Sequence, residues 1–457
     1  MKKIPKKIVV LLVIVTISLI FILNIRNIYS SLPINLKQNI RDLALKKYKN
    51  LSERNKVIIR ASSLEPFPNL ESRYRRGSPS INNLNNDYNV KFLPETQRGK
   101  FDLSLIQINL KENDLNKNNT AGLGTYGFFK PFFLEITDNN LISTNIDGDF
   151  IFIEMDNFLK KENKNLKFKP IKSNLKVTIV MGTLLNENNL YVSYMVLDNE
   201  CQRYNIASAK INFNKLIFKD IFNSNVCGNN LRAGRMQIFE HKGSKGLLAT
   251  IGGEGLNNPT DLAQSLDSDM GKIIFINLEN SEKIIYSYGH RNPQGLLVDG
   301  NIVLATEHGP YGGDEINKIT YGKNYGWPIA SYGTSYPSTG IFKKHKFTRE
   351  EYLKSHEDNN FEEPIFSFVP SIGISQIIKV PNNYTSGWID NYLVSSLNDG
   401  SLYRIKFDKN FTKIVYSEKI FINKRIRDLK YSKKYNVILL ALEDWQEIGI
   451  LKPLLEN

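Results

Sequence analysis

Short apolar stretches separated by turn residues recur along the chain from about residue 88 to the C-terminus. Each stretch has the length of a β-strand, is rich in Val, Ile, Tyr and Phe, and is bounded by Gly, Asn or Asp, a pattern typical of strands and hairpin turns. Helical periodicity longer than two turns is scarce in this region. The pattern predicts an all-β fold, with strands that include those beginning at Phe101, Leu141, Asp149, Val177, Leu190, Lys272, Asn301, Asn391 and Asn436.

The length of this strand-rich region favours one all-β architecture over the others. A single sandwich or barrel of residues 86–457 would be unusually large, whereas repeated strand–turn–strand units suit a β-propeller. No WD or kelch repeat signature is present in the sequence. Because a propeller gathers loops from several blades at one end of its axis, we expect a site assembled from pieces distant in sequence.

The N-terminus carries a different pattern. Lys2, Lys3, Lys6 and Lys7 precede an uncharged apolar run from residue 8 to residue 23. As a helix this run would extend about 24 Å at ~1.5 Å per residue, slightly short of a hydrocarbon core of ~30 Å. We predict a transmembrane anchor over residues 1–30 with the following domain outside the cytoplasm, facing the periplasm or the cell exterior. A cleaved signal peptide is the alternative, and it places the domain on the same side.

Residues 31–85 contain a weak helical pattern followed by Pro- and Gly-rich breaks, and we interpret them as a stalk between membrane and propeller. The 457 residues are 41% hydrophobic, which excludes a wholly disordered chain. The formal charge of +14 is spread along the chain and interleaved with acidic residues, so it does not indicate a nucleic-acid partner. The two cysteines, Cys201 and Cys227, are either a disulfide or two thiols.

Three loop-like segments between apolar strands hold most of the candidate chemistry: residues 288–295, 305–317 and 322–328. Arg291, Asn292 and Gln294 form a donor-rich cluster suited to a planar polyanion. Arg425 and Arg427 alternate along a strand and add a second basic pair. Asp314 and Glu315, together with backbone carbonyls near Gly309, Pro310 and Tyr325, offer the hard oxygen ligands that Ca²⁺ prefers. The alternative is that these residues only pin loops and blades together.

These segments resemble a known family. The run GHRNPQG, EHGPYGGDEIN and GKNYGWP is similar to the glucose/sorbosone dehydrogenase family of soluble aldose sugar dehydrogenases that use pyrroloquinoline quinone (PQQ). The likeness is strong from about Leu231 to Asp444 and loose from Tyr88 to Cys227. It implies a six-bladed β-propeller that binds PQQ over a Ca²⁺ ion and oxidises an aldose at C1 to a lactone. An aldose sugar or glycan is then the expected partner, and the electron acceptor is left open.

The resemblance also implies roles for individual residues. Five would hold the carboxylates and quinone oxygens of PQQ: Arg291, Asn292, Gln294, Arg425 and Arg427. Gly309 and Pro310 would offer carbonyls to the cofactor Ca²⁺. Glu315 and Tyr325 would bind a structural Ca²⁺.

Two positions depart from the family pattern. The segment of the type His-x-Gly-Gly-Arg, which carries the catalytic base, has Leu231 at the histidine position, and leucine cannot accept a proton. Asn398 stands where the family places a lysine. The weak substitutes for the base are Glu254 and His241, so the sequence leaves open a non-catalytic propeller that binds a sugar, glycan or protein.

The remaining histidines and one tryptophan have structural interpretations. We expect His290 and His308 to bond neighbouring loops, and we expect His345 and His356, in a charged stretch, to be exposed. Trp388 is expected to pack within a blade.

Overall fold

The structure is a computed structural model that describes residues 91–92, 101–107, 131–159, 169–198, 201–228, 233–253, 261–310, 312–333, 355–443 and 447–454. All of these residues lie in one compact unit, Pro66–Asn457. The predicted anchor, the predicted stalk, Leu231, Glu254 and His345 lie outside the described residues. Within the described ranges, no helix is both long enough and apolar enough to span a bilayer.

The described residues are overwhelmingly β-structure, as the sequence predicts. The strands of the first half are β1 (Lys91–Phe92), β2 (Phe101–Gln107), β3 (Phe132–Ile136), β4 (Asn140–Asn145), β5 (Phe150–Glu154), β6 (Lys169–Ser173), β7 (Ile179–Asn186), β8 (Asn189–Asp198), β9 (Cys201–Lys210), β10 (Lys215–Leu216), β11 (Lys219–Gly228), β12 (Ala233–His241) and β13 (Ser244–Ile251). Those of the second half are β14 (Lys272–Asn277), β15 (Lys283–Tyr288), β16 (Pro293–Asp299), β17 (Ile302–Glu307), β18 (Asp314–Lys318), β19 (Phe366–Phe368), β20 (Ile374–Lys379), β21 (Tyr392–Ser396), β22 (Ser401–Phe407), β23 (Ile414–Phe421), β24 (Ile426–Ser432), β25 (Val437–Leu442) and β26 (Glu447–Pro453).

Helical structure in these ranges is short. Helix α1 is Met155–Leu159 and helix α2 is Ser355–Asp358. Single 3₁₀ turns occupy Asp261–Ala263 and Ser386–Trp388.

The strands form six sheets, and each sheet is one blade of a propeller. Four antiparallel strands in chain order make each of the blades β3–β6, β7–β8–β9–β11, β12–β15, β16–β19 and β20–β23, and β10 adds to the edge of β6 in parallel. The first strand of each blade contacts the first strand of the next, in the ring order β3, β7, β12, β16, β20, β24. The predicted six-bladed β-propeller is confirmed.

The sixth blade joins the two ends of the propeller. Its strand order is β24–β25–β26–β2–β1, so C-terminal strand β26 pairs with β2 from the start of the domain. Seven consecutive residue pairs, from Phe101 with Pro453 to Gln107 with Glu447, keep one register. Ring closure therefore depends on contacts between the first and last strands of the domain.

The apolar core lies between blades. Six buried clusters each combine residues of two neighbouring blades, as where Phe101 of β2 and Leu440 of β25 pack with residues of the fifth blade. Trp388 in this cluster is fully buried and lies 4.3 Å from the Phe101 ring and 5.8 Å from the Tyr384 ring. Its predicted role in blade packing is confirmed.

Candidate functional site

The first residues of several inner strands meet at one end of the propeller axis. Arg235 in β12, Gln294 in β16, Gln376 in β20 and Arg427 in β24 are all within two or three positions of their strand starts, and hydrogen bonds join them into one network. The structure thus brings together pieces from four blades at one end, where the sequence predicts a composite site.

Arg291 lies two residues before β16 and is 4% exposed. Its Nη1 donates to the carbonyl of His308 at 2.9 Å, and its guanidinium lies 5.2 Å from the Trp327 ring centre. Its backbone amide donates to the buried Glu307 carboxylate. The Nε atom of Arg291 is buried and has no hydrogen-bond partner among the residues that the structure describes. A buried guanidinium N–H without an acceptor is costly, so this atom favours an anionic or oxygen-rich ligand at the site.

Asn292, Gln294 and Arg427 form a chain of side-chain hydrogen bonds. Gln294 Nε2 donates to Asn292 Oδ1 at 2.8 Å, and Arg427 Nη1 donates to Gln294 Oε1 at 2.7 Å. The second bond joins residues that are 133 positions apart in the chain. The predicted donor cluster and the predicted basic pair therefore lie in one place.

Arg425 and Arg427 share one carboxylate. Glu443, which is fully buried, accepts from Arg425 Nε at 2.9 Å through one oxygen and from Arg427 through the other. Arg425 Nη1 also donates to the Leu397 carbonyl at 3.4 Å, which places the Leu397–Asn398 segment beside the arginine pair. One carboxylate between two guanidinium groups leaves the cluster with a net positive charge.

Both histidines of the motif segments are held on both ring nitrogens. His290 is fully buried, contacts Ser287 Oγ at 2.8 Å and Glu307 Oε2 at 3.0 Å, and stacks on Tyr325. His308 contacts the Ile374 carbonyl at 2.5 Å and Asn292 Nδ2 at 3.4 Å. Burial lowers the pKa of His308, which favours the neutral ring. These contacts tie loops together.

Sequence reasoning missed Arg235 and its partner Asp428. Arg235 Nη1 lies 2.9 Å from Asp428 Oδ1, and both side chains are almost completely buried. The arginine also donates to the backbone carbonyls of Gln294 and Arg427. The signal was present in the arginine that ends the His-x-Gly-Gly-Arg type of segment, but its partners lie 59 and 192 positions away.

The residues predicted as metal ligands lie near the start of β18. Glu315 is 8% exposed, and burial, reinforced by the Glu307 charge, raises the pKa of its carboxyl to about 8. Asn317 donates to Glu315 Oε2 at 3.1 Å, while the buried Oδ1 of Asn317 has no hydrogen-bond partner within the described part of the chain. The buried carboxyl and the unpartnered oxygen suit a cation with oxygen ligands.

The other predicted ligands have mixed environments. The Tyr325 hydroxyl donates to the Lys318 carbonyl and accepts from the Thr320 amide, so the hydroxyl is already engaged within the fold. Pro310 is buried, and the Gly309 amide donates to Asp314 Oδ1 at 3.1 Å. Across the parts of the chain that the structure describes, no group of three or more acidic, His or Cys side chains has metal-binding geometry.

His241 lies away from these residues. It pairs with Ser244 at the hairpin that ends β12, at the opposite end of that strand from Arg235. Its ring lies among Phe239, Tyr286 and Tyr321, and burial lowers its pKa. The structure therefore does not bring this candidate base to the arginine cluster. The other candidates, Glu254 and the Leu231 position, lie outside the described residues.

The expectation of an exposed His356 is wrong. His356 is 1% exposed and its ring stacks on Tyr332 with centres 5.1 Å apart. Helix α2 turns this one side chain inward while its acidic neighbours Glu357 and Asp358 stay exposed. The alternative of a Cys201–Cys227 disulfide or two thiols stays open: the backbone places the two residues on neighbouring antiparallel strands, β9 and β11.

Comparison with known proteins identifies the family to which this chain belongs. Residues 130–451 match the family model described as Glucose / Sorbosone dehydrogenase. This match covers more than half of the chain, so the protein belongs to that family.

Two curated relatives resemble part of the chain. The aldose sugar dehydrogenase YliI of Escherichia coli strain K12 is 31% identical over 226 residues, which are 46% of this chain and 57% of the relative. Quinoprotein glucose dehydrogenase B of Acinetobacter calcoaceticus is 28% identical over 230 residues, 38% of this chain and 48% of the relative. The chain thus spans about half the length of the curated relatives it matches.

Solved structures share the fold. A crystal structure of a glucose dehydrogenase superposes with a TM-score of 0.59 at 23% identity, covering 72% of this chain and 97% of that one. The PQQ-bound form of an aldose sugar dehydrogenase from Streptomyces coelicolor gives 0.51 at 18% identity, with coverage of 77% and 98%.

Proposed function

We propose that the propeller binds PQQ at its arginine-lined end and belongs functionally to the aldose sugar dehydrogenases. The observation that carries the proposal is the buried Nε of Arg291, which has no hydrogen-bond partner among the described residues. Arg291 adjoins Asn292, whose side chain is linked through Gln294 to Arg427. Guanidinium groups in this arrangement match the planar carboxylates of PQQ, so the residues present fit the cofactor. Similar proteins include a quinoprotein glucose dehydrogenase and a PQQ-bound form of an aldose sugar dehydrogenase, and this likeness supports the same ligand.

The chain's own residues would bind and orient the cofactor. Arg291, packed over Trp327, and Arg427, held by Glu443, would neutralise its carboxylates, while Asn292 and Gln294 would supply amide groups to its oxygens. When bound, the quinone would accept hydride from C1 of an aldose. The buried position of these residues would keep bulk water from that region.

We also propose that Ca²⁺ supports this site. Gly309 and Pro310 would offer carbonyls to the ion near the cofactor, as the family resemblance implies. Glu315, with the unpartnered Asn317 oxygen beside it, would hold a second ion together with the Tyr325 carbonyl. The buried carboxyl of Glu315 would ionise more readily beside a divalent cation, because opposite charge favours the charged form.

Titration of PQQ into the purified full-length chain with Ca²⁺ tests the proposal. We expect saturable binding that Arg291→Ala weakens by roughly 10- to 100-fold, the usual effect of losing a charge-assisted hydrogen bond. Arg404→Lys is the matched control, because Arg404 is a buried arginine in the outer part of the fifth blade. If the wild-type chain binds no PQQ with Ca²⁺ present, the proposal is wrong.

A second candidate function is ligand binding without catalysis. The observation that favours it is Leu231, which replaces the family's proton acceptor. Loss of a general base typically costs about 10²- to 10⁴-fold in rate. Aldose-dependent dye reduction by the PQQ-loaded chain distinguishes the two functions. Binding without turnover in the wild type, with turnover in Leu231→His, would support the non-catalytic function, whereas robust wild-type turnover would exclude it.

Finally, we propose that residues 1–30 anchor the propeller to a membrane and that it faces the periplasm or the cell exterior. The support is the sequence alone: the Lys2–Lys7 cluster before an uncharged apolar run. Carbonate washing of membranes tests this proposal. The full-length chain should stay in the pellet, and its release as soluble protein would favour a cleaved signal peptide.

A further inference from the structure

Arg235 makes three hydrogen bonds that converge on the candidate site. It is 3% exposed. Nε donates to the Gln294 carbonyl at 2.7 Å, Nη2 to the Arg427 carbonyl at 2.6 Å and Nη1 to Asp428 Oδ1 at 2.9 Å. The first two acceptors belong to the residues whose side chains bond to each other through Arg427 Nη1 and Gln294 Oε1. One guanidinium therefore holds the backbones of both members of this pair.

These bonds cross the axis of the propeller. In the ring of inner strands, β12 carries Arg235 and β24 carries Arg427, and two strands separate them in either direction. Asp428 extends the connection, because its carboxylate also accepts from the Leu134 amide of β3 and from Gln376 Nε2 of β20. Five of the six inner strands thus meet at the Arg235–Asp428 pair.

A buried arginine–carboxylate pair is not in itself a sign of function, and the fold contains a second one for comparison. Arg404 is 2% exposed and donates to Glu418 at 2.7 Å, to Asn391 at 2.8 Å and to the Tyr416 hydroxyl. All three partners belong to the fifth blade or its adjoining turn. Arg404 therefore supports one blade, whereas the partners of Arg235 come from separate blades and include two candidate ligand-binding residues.

We propose that Arg235 is a positioning residue: it sets the separation and orientation of Gln294 and Arg427 across the axis and so preshapes a pocket for an anionic ligand beside these two side chains. A planar guanidinium can serve three acceptors in fixed directions, which a lysine ammonium on a flexible stem cannot do. The identity of the pocket's ligand rests on the proposed function, while the arrangement of Gln294 and Arg427 does not.

Hydrogen exchange in the ligand-free full-length chain tests the positioning itself. In Arg235→Lys we expect amide exchange in residues 291–296 and 425–429 to rise roughly tenfold or more, because local opening no longer breaks three bonds. Arg404→Lys should leave both segments as in the wild type. If Arg235→Lys does not fold, the neutral pair Arg235→Gln with Asp428→Asn avoids an unpaired buried charge and should show the same pattern. Unchanged exchange in both segments, or an equal rise throughout the propeller, would overturn the inference.

PQQ titration with Ca²⁺ then tests the consequence. Arg235→Lys should bind PQQ roughly 10- to 100-fold more weakly than the wild type, beyond any change in Arg404→Lys of similar melting temperature. Wild-type affinity in Arg235→Lys would overturn the inference. A wild-type chain that binds no PQQ would instead reject the proposed function, and the exchange data would still decide the role of Arg235.

Discussion

Four charged side chains lie buried near the starts of the inner strands: Arg235 and Arg427 face Asp428 and Glu443. Charges in such positions are tolerated when each has a partner, and removal of one partner leaves an uncompensated charge that costs several kcal/mol. Arg291 differs, because its Nε has no acceptor in the ranges that the structure describes. At the scale of single residues, this unmet hydrogen bond separates a ligand-binding position from its structural neighbours.

The segment before Arg235 contains a local conflict between residue and backbone. Ala233 is buried and has φ of +82°, a left-handed conformation that costs an L-residue about 1–2 kcal/mol. Ala233→Gly should relieve that strain while losing one buried methyl, worth about 0.8 kcal/mol. We expect stability between unchanged and about 1 kcal/mol higher, measured by urea unfolding.

Ala249→Gly is the matched control for Ala233→Gly. Ala249 is fully buried in β13, has no positive φ, and pairs with Met236 and Ile274. Glycine at this position should lower the free energy of unfolding by about 1 kcal/mol or more, because the substitution removes a packed methyl group and leaves the unfolded backbone freer. Equal losses for the two variants would show that Ala233 is unstrained.

Lys272 supplies a pH-dependent contribution to stability. Its ammonium is fully buried and donates to the carbonyls of Leu262, Ala263 and Met270, and burial lowers its pKa to about 8. Between pH 8 and 10.5 the unfolded chain holds a proton that the folded chain has released, so this group stabilises the fold increasingly as pH rises. The gain across that window should be about 1–3 kcal/mol.

Urea unfolding of the wild type and Lys272→Met at several pH values from 7.5 upward checks this prediction. Other lysines and tyrosines titrate in the same range, so the informative quantity is the difference between the two proteins. The variant should be less stable than the wild type at every pH, because three backbone carbonyls lose their hydrogen-bond donor. The difference in free energy of unfolding between the wild type and the variant should widen from about pH 8 towards 10.5, because the wild type gains stability over that range. A constant gap would mean that Lys272 keeps an ordinary pKa.

At the scale of secondary-structure elements, the inner strands β16 and β20 approach each other closely beside the candidate functional site. A Cβ placed on Gly295 of β16 would lie 2.2 Å from Thr306 Oγ1 and 2.6 Å from the Ser375 carbonyl of β20. Such distances leave no room for a methyl group without movement of the strand. The glycine therefore lets β16 and β20 pack while Gln294 and Arg291 stay beside the axis.

Gly295→Ala should lower the free energy of unfolding by about 2–4 kcal/mol and weaken PQQ binding, because β16 must move away from β20. Gly300→Ala is the control. Nothing lies within 4 Å of a Cβ at Gly300, although its φ is +59°, so only about 1 kcal/mol of backbone strain is expected. Thermal melts and PQQ titration of both variants make the comparison, and equal effects would contradict the close approach.

The strands were the part of the fold that local sequence could predict. Predicted stretches beginning at Phe101, Leu141, Leu190 and Asn301 correspond to β2, β4, β8 and β17, because apolar β-branched runs between turn residues are a local signal. The segment with Arg291 and Gln294 was also a local signal, although the structure places Gln294 at the start of β16 and not in a loop. The Arg235 contacts were not local, since they depend on partners in other blades whose proximity only the closed ring creates. The Glu443 contacts depend on the register of the β24–β25 pair, which the sequence analysis did not predict.

For the whole molecule, closure of the ring was the feature that no single segment encodes. Strand β26 lies between β25 and β2 and pairs with both, through Leu439 with Ile450 on one side and Ser104 with Ile450 on the other. The burial of Phe101, Leu103 and Leu105 against the fifth blade depends on the same arrangement. Because Asp428 of β24 in the sixth blade accepts hydrogen bonds from Arg235, Leu134 and Gln376 of three other blades, an open sixth blade also disturbs the candidate site.

Deletion of residues 447–457 tests this dependence. The shortened chain loses the hydrogen bonds that both edges of β26 make with β25 and β2. The freed edges of β25 and β2 are then unpaired, which favours aggregation. We expect loss of the cooperative thermal transition seen by circular dichroism, together with loss of PQQ binding. Deletion of residues 455–457 alone keeps every residue of β26 and should melt as the full-length chain does. If the longer deletion melted cooperatively at the wild-type temperature, the end-to-end pairing would not be what holds the propeller closed.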